Sequence, residues 1–284
     1  MGLFTGKVVI VTGSGNGIGR AHALAFARHG ACVVVNDVGG SRDGAGRDSK
    51  AADQVVEEIK AAGGEAIATY TSVSDLDGAE MIVWSAQNRF KRVDILVNNA
   101  GILRDRALLN MAVAEWDSVI DVHLKGSFLM TRAFARALKT QGGGGYAVVN
   151  TTSVSGLRGT FGQATYAAAK AGIFGLTRVC SIELEKLGCR VNAIAPVALT
   201  RMTEDVARLA QMGIDNMGPQ HISPVVTWLA SDLAKDINGR VFGVHGTKVF
   251  EYRMEQSEGL EAPPGGGEWT PETLAEQLPR FALA

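Results

Sequence analysis

The stretch Lys7-Val8-Val9-Ile10-Val11-Thr12-Gly13-Ser14-Gly15-Asn16-Gly17-Ile18-Gly19 decides the architecture. Its first half is an apolar run of strand length, its second half is a glycine-rich turn, and Ala21 to His29 continues with helical periodicity. Ala31 to Asn36 is a second apolar run, so strand, turn, helix and strand complete a βαβ unit. Glycine is needed in the turn because the backbone must bend tightly and approach a pyrophosphate, whose charge the free N–H groups at the helix N-terminus accept. Gly13, Asn16, Gly17, Ile18 and Gly19 are the expected contacts. Asp37 follows the second strand, where a carboxylate can bind both hydroxyls of an adenosine ribose; the alternative is an Asp that starts a turn before Gly39-Gly40.

Outward from this unit the alternation continues. Residues 39–48 are rich in glycine and charge and read as a surface loop, followed by a helix over 49–62 and a third strand over 65–70. Ser72 and Val73, just beyond that strand, would flank an adenine in a doubly wound sheet. A helix over 75–90 follows, with Ser74 as its expected N-cap, then a fourth strand over 94–97 closing on Asn98-Asn99-Ala100-Gly101. As plain local structure, that tetrapeptide is a turn.

The second informative stretch holds Ser153, Tyr166 and Lys170. A spacing of four stacks Tyr166 and Lys170 on one helix face, where an ammonium favours the phenolate; each pKa unit corresponds to about 1.4 kcal/mol. A Ser hydroxyl nearby can hold a carbonyl or alcohol oxygen within reach of the phenol. Tyr-xxx-Lys alone is also ordinary helix surface, so the context matters. Tyr146 to Thr151 reads as a buried strand with Ser153 just past its end, and Gly156, Gly159 and Gly162 form a loop before a helix starting near Thr165. Ligands of open α/β sheets bind at the carboxyl ends of strands.

Composition sets limits on this reading. The chain has 284 residues, 46% hydrophobic and 20% charged, enough for one large domain. A net charge of −1 gives no electrostatic footprint for nucleic acid or an anionic membrane. Cys32, Cys180 and Cys189 lack metal-ligand or CxxC spacing and suit a reducing compartment. No apolar run approaches membrane-spanning length, no signal-peptide region follows Met1, and the ending Phe281-Ala282-Leu283-Ala284 is not a peroxisomal signal, so a cytoplasmic location is expected. Further on, 190–194 is a sixth strand, 197–220 a stretch rich in Met and Arg, 223–231 a helix and 241–244 the last strand. The expected division is a catalytic domain over 1–250 and a C-terminal extension over 251–284, where Pro263-Pro264-Gly265-Gly266-Gly267 has linker composition and Thr270 and Pro271 suit a helix start.

Thr12-Gly13 through Gly17-Ile18-Gly19, Asn98-Asn99-Ala100-Gly101, Ser153, Tyr166-xxx-Lys170 and Asn192-Ala193-Ile194-Ala195-Pro196 together resemble the short-chain dehydrogenase/reductase family over roughly residues 5–246. The resemblance implies an α/β fold, a single Rossmann-type, doubly wound, seven-stranded parallel sheet. Tyr166 would be the general acid/base, Ser153 would orient the substrate, and Lys170 would bind the nicotinamide ribose while lowering the Tyr pKa. Asn99, Ala100, Gly101, Ala198, Leu199 and Thr200 would line the cofactor, with Thr200 meeting the nicotinamide amide. His123 stands where the family usually places an Asn of a proton relay, and Pro196-Val197 replaces the usual Pro-Gly, leaving no residue tolerant of positive φ. The cofactor implied is NAD, because Asp37 would face a 2′-phosphate of like charge. A homodimer or homotetramer is implied too.

Within the family, Asn36-Asp37-Val38-Gly39-Gly40, residues 101–106, Val122-His123-Leu124-Lys125-Gly126-Ser127-Phe128, Phe161-Gly162-Gln163 and Trp269-Thr270-Pro271-Glu272 resemble the (3R)-hydroxyacyl-CoA dehydrogenases found as modules of peroxisomal multifunctional enzymes and in bacteria. The implied substrate pair is a 3-hydroxyacyl-CoA and its 3-ketoacyl-CoA. Arg104, Arg106, Arg158 and Arg201 would meet the CoA phosphates, with Leu157, Phe161, Leu199 and Met202 around the acyl end; the alternative is that these arginines are solvated or pair with Asp105, Glu204 and Asp205. The alternatives are a hydroxysteroid, terpenoid or other small hydrophobic alcohol as substrate, or a non-catalytic nucleotide-binding protein.

Overall fold

Val8–Thr12 (β1) is buried along its whole length, as are Ile95–Asn98 (β4) and Tyr146–Thr151 (β5), so these strands read as continuous apolar runs and occupy the middle of a sheet covered on both faces. A computed structural model describes residues 2–200, 217–261 and 268–282. The flanking strands are Cys32–Asn36 (β2), Glu65–Thr69 (β3), Cys189–Val197 (β6), Val241–His245 (β7) and Lys248–Tyr252 (β8). The sheet order is β3-β2-β1-β4-β5-β6-β7-β8, and every neighbouring pair is parallel except β7 and β8.

The antiparallel eighth strand departs from the expected seven. His245 pairs with Lys248 across a two-residue turn in which Gly246 has φ +56°, the positive φ that tight hairpins favour. Gly243 makes room for the returning strand, since a Cβ there would lie 2.4 Å from the Phe250 ring.

Gly17–Arg28 (α1), Lys50–Ala61 (α2) and Ser223–Ala230 (α8) cover one face of the sheet, and Leu76–Phe90 (α3), Gly126–Gln141 (α5) and Ala164–Glu183 (α7) the other. The cap of α3 is Asp75, whose carboxylate accepts the Gly78 N–H at 2.9 Å, and not Ser74, whose hydroxyl pairs with Ser72. Two further elements were not evident from periodicity. Val154–Arg158 (α6) is a short helix inside the segment read as loop, and a π-turn, Asp121–Lys125, joins Val113–Ile120 (α4) to α5. Met1–Tyr252 and Arg253–Ala284 form separate compact units. In the second, Pro271–Ala282 (α9) starts at Thr270, whose hydroxyl accepts the Thr273 N–H at 3.2 Å.

Asp94 ties the start of β1 to β4. It is fully buried and accepts the Val8 N–H at 2.9 Å and two guanidinium N–H groups of Arg92 at 2.8 and 2.6 Å. Asp94→Ala strips a buried N–H of its partner and should lower unfolding free energy by about 1.5–3 kcal/mol, the range for hydrogen bonds to charged groups. Urea titration of the two proteins checks this.

Candidate active site

Strand order reverses between β1 and β4, and in such sheets that crevice receives ligands. The two loops bordering it are locked together. Thr12 Oγ1 accepts the N–H groups of Asn99 at 3.0 Å and Ala100 at 3.1 Å, while Asn99 Nδ2 donates to the carbonyls of Thr12 and Gly13, both at 3.0 Å. Gly13 has φ +63°, and a Cβ there would lie 2.7 Å from Ala100 Cα. At Gly19 a Cβ would lie 2.1 Å from the Gly13 carbonyl oxygen.

Helix α1 begins at Gly17 with an extended Asn16 before it, no side-chain cap and no acidic residue in its first turn. Its leading N–H groups and dipole are therefore available to an anion. Asp37 holds both ends of the surrounding loops: Oδ2 accepts the Gly15 N–H at 2.8 Å and Oδ1 the Gly39 N–H at 2.7 Å. Thr200 stands over the turn, its Cγ2 3.8 Å from a Cβ built on Gly17. Leu199 donates its N–H to the Met217 carbonyl at 2.6 Å, and Ala198 is buried in the core on the α1 side. Val197 needs no positive φ, because β6 runs through it in register with His245. Ser72 is half-buried, and Val73 packs into the core over Gly126. The glycine cradle, the uncapped helix and the carboxylate one strand away fit a dinucleotide, with Ile18 behind the turn against the core.

Ser153, Tyr166 and Lys170 meet at the carboxyl end of β5. Ser153 begins α6 by accepting the Ser155 N–H, and its hydroxyl hydrogen-bonds the Tyr166 phenol. Lys170 is 3% exposed, donates to the Thr151 carbonyl at 2.6 Å and lies 5.5 Å from the centre of the Tyr166 ring. Thr152 fixes the same helix by donating to the Lys170 carbonyl at 2.6 Å. Burial pushes the phenol up to about 12, with the Ser153 hydrogen bond opposing and nearby Asp105 reinforcing, and pushes the ammonium down to about 7. The expected lowering of the phenol by Lys170 is thus overridden by desolvation of both groups.

His123 sits at the middle of the π-turn, buried, edge-on to Tyr166 with ring centres 5.3 Å apart. Its Nε2 is 3.0 Å from the Ile102 nitrogen and 2.8 Å from the Ile102 oxygen, its Nδ1 has no partner, and burial holds its pKa down to about 3, so the ring is neutral. A Cβ on Gly101 would lie 2.3 Å from its Cε1. His123 therefore braces the loop after β4 against the helix that carries Tyr166.

At the rim, Arg106 pairs with Glu115 at 3.1 Å and Arg104 donates to the Asp43 carbonyl at 2.9 Å, so both expected phosphate contacts are already engaged. Arg158 ends α6 on the side of His245, whose pKa is lowered by burial and by the charges of Lys248 and Arg158. Arg201 and Met202 lie outside the described residues. Phe161 and Leu109 are 94% and 97% exposed, close to a bridge that pairs Arg106 with Gln163, and Leu157 is half-buried. Thr12, Thr152 and Gln163 are site-shaping residues that the motif reading did not assign; Gln163 donates to Asp105 at 2.7 Å and accepts from Ser155 at 2.8 Å. Hydroxyls and amides at strand ends, beside the glycine turn and Ser153, are the signal that could have found them.

Residues 7–210 match the family described as short chain dehydrogenase. The chain is 43% identical over 273 residues to the mouse peroxisomal multifunctional enzyme type 2, covering 96% of this chain but 36% of that protein. It spans about a third of the length of these first relatives, 29% in the yeast peroxisomal hydratase-dehydrogenase-epimerase. A hydroxyacyl-CoA dehydrogenase of Mycobacterium tuberculosis is 43% identical over 96% of this chain and 88% of its own length. The crystal structure of a short chain dehydrogenase from Mycobacterium avium superposes with a TM-score of 0.86 at 43% identity, covering 99% of this chain and 96% of that one.

Proposed function

The chain belongs to the short-chain dehydrogenase family and is an oxidoreductase, and on that premise we propose that it interconverts a 3-hydroxyacyl-CoA and its 3-ketoacyl-CoA with NAD. The convergence of Ser153, Tyr166 and Lys170 beside the β1–β4 crevice carries the reading. When bound, the nicotinamide supplies or accepts the hydride. Tyr166 moves the proton to or from the substrate oxygen, which Ser153 also holds, and Lys170, fixed on the Thr151 carbonyl, presents its amine to the cofactor ribose. Gly13 to Gly19 would hold the pyrophosphate and Asp37 the adenosine ribose. His123 keeps the Ile102 loop and the Tyr166 ring in register.

The exposed apolar side chains at the rim also suit a second reading, a hydroxysteroid, terpenoid or other small hydrophobic alcohol. With Arg104 and Arg106 engaged, Arg158 is the described arginine of the rim left to favour a CoA phosphate. NADH-dependent reduction of a 3-ketoacyl-CoA series is compared with free ketones of matched size, in the wild type and in Arg158→Ala. Higher kcat/KM for the CoA esters, lost on that replacement, is expected; higher kcat/KM for the free ketones, unaffected by it, selects the small-alcohol reading.

The assembly expected is a homodimer or homotetramer through α5 and α7, which leave Phe128, Val179 and Ile182 exposed on their outer faces. Light scattering at micromolar concentration should return at least twice the chain mass, and Ile182→Glu should shift it toward the monomer. A monomeric wild type ends this expectation.

A further inference from the structure

The segment between β2 and α2 reaches further than its place in the chain requires. Its base is closed by Asp37 on the Gly39 N–H and by the Asp48 N–H on the Val38 carbonyl at 3.2 Å. Gly39, at φ +73°, permits this, since a Cβ there would lie 1.8 Å from the Asp48 oxygen. Its tip is a tight turn in which Ser41 and Ala45 pair at 2.8 Å. That tip is bound to the loop after β4. Leu103 donates its N–H to the Arg42 carbonyl at 2.9 Å, Arg104 Nε donates to the Asp43 carbonyl at 2.9 Å, and a Cβ on Gly44 would lie 3.1 Å from Ile102 Cγ2.

Strand order gives these contacts their meaning. β1 lies between β2 and β4, so a segment that leaves β2 and docks on the loop after β4 must cross the carboxyl edge of β1, where the glycine turn from Gly13 to Gly19 stands. The docking loop is in turn held from behind by His123 on Ile102. We propose that Arg104 is a positioning residue that pins the 38–48 segment across the dinucleotide cleft, so that cofactor enters and leaves by breaking the bonds between this strap and residues 102–104. The proposal rests on the dinucleotide reading of the cleft. It assigns Arg104 to cofactor retention, not to substrate phosphate.

Two measurements test it. NADH dissociation is followed by stopped-flow fluorescence on displacement with excess NAD, and trypsin cleavage after Arg42 and Arg47 is followed by mass spectrometry on the cofactor-free protein. In Arg104→Ala, NADH should leave about tenfold faster, the loss expected for one hydrogen bond, and both tryptic sites should be cut sooner. KM for NADH should rise without a fall in kcat, and Arg104→Lys, which keeps a donor, should restore part of the retention. Gly44→Ala, a strained substitution at φ +85° against Ile102, should act in the same direction through the strap alone. Unchanged dissociation in Arg104→Ala overturns the proposal even where cleavage accelerates. Faster dissociation with unchanged cleavage overturns it too, because Arg104 would then contact cofactor directly. Failure of the wild type to bind NADH refutes the dinucleotide reading, while the cleavage arm still reads the pinning.

Discussion

Replacing Tyr166 with Phe should lower turnover by about 10²–10⁴-fold, the contribution of a positioned general acid–base, while leaving cofactor affinity intact. The substitution removes one oxygen and keeps the ring that packs edge-on against His123, so the helix carrying it has no reason to move. The pH dependence gives the same residue a second signature. Burial pushes the phenol up to about 12, so near neutrality it is protonated and ready to donate when a ketone is reduced. Alcohol oxidation needs the phenolate, whose fraction rises tenfold per pH unit below the pKa. The oxidation rate should therefore climb with pH across the alkaline range in the wild type and stay flat in Tyr166→Phe. Near-normal turnover of the variant at wild-type cofactor affinity would exclude Tyr166 as the acid/base.

NAD should be preferred over NADP, and Asp37→Ser should narrow that preference by up to about 10³-fold. A 2′-phosphate would meet the Asp37 carboxylate, and two unit charges 4 Å apart at an effective dielectric near 20 repel by about 4 kcal/mol, close to three decades. The carboxylate has little freedom to turn away, because the Gly15 and Gly39 N–H groups hold both of its oxygens. Those same bonds shape the turn, so part of the change in Asp37→Ser will be weaker binding of both cofactors; the ratio of specificity constants isolates the charge effect. A wild type that prefers NADPH would overturn the assignment of Asp37.

Much of the site was legible because its residues repeat strand and helix periods and sit where the periods break. The glycine turn, Asn98 to Gly101 and Ser153 each fall at the carboxyl end of a strand in the structure, and Tyr166 and Lys170 lie one turn apart near the start of α7. What was not legible depends on partners distant in sequence. β8 hides because its five residues pair only through the turn at Gly246 and the gap left by Gly243. α6 is set by the Ser153 cap and is too short to show a period. The spacing of Tyr166 and Lys170 predicts their adjacency but not that Lys170 is buried and the half-buried phenol desolvated, which reverses the expected shift of the phenol. Counting arginines likewise could not reveal that Arg106 is neutralised by Glu115 or that Arg104 reaches the strap.

The order β3-β2-β1-β4-β5-β6-β7-β8 also bears on how the chain is made. Strands two and three are added on one side of the first, and every later strand is added on the other, in the order in which the ribosome delivers them. One edge of Val8–Thr12 therefore waits for Ile95–Asn98, roughly 80 residues later. At about 5–20 residues per second that wait is on the order of 4–16 s. Throughout it, Val-Val-Ile-Val-Thr presents unpaired backbone groups along an apolar edge, the kind of surface that recruits other strands. The nascent chain is most exposed to misassociation before Ile95 emerges, and slowed translation between residues 12 and 95 should lower the soluble yield more than the same delay placed after residue 150.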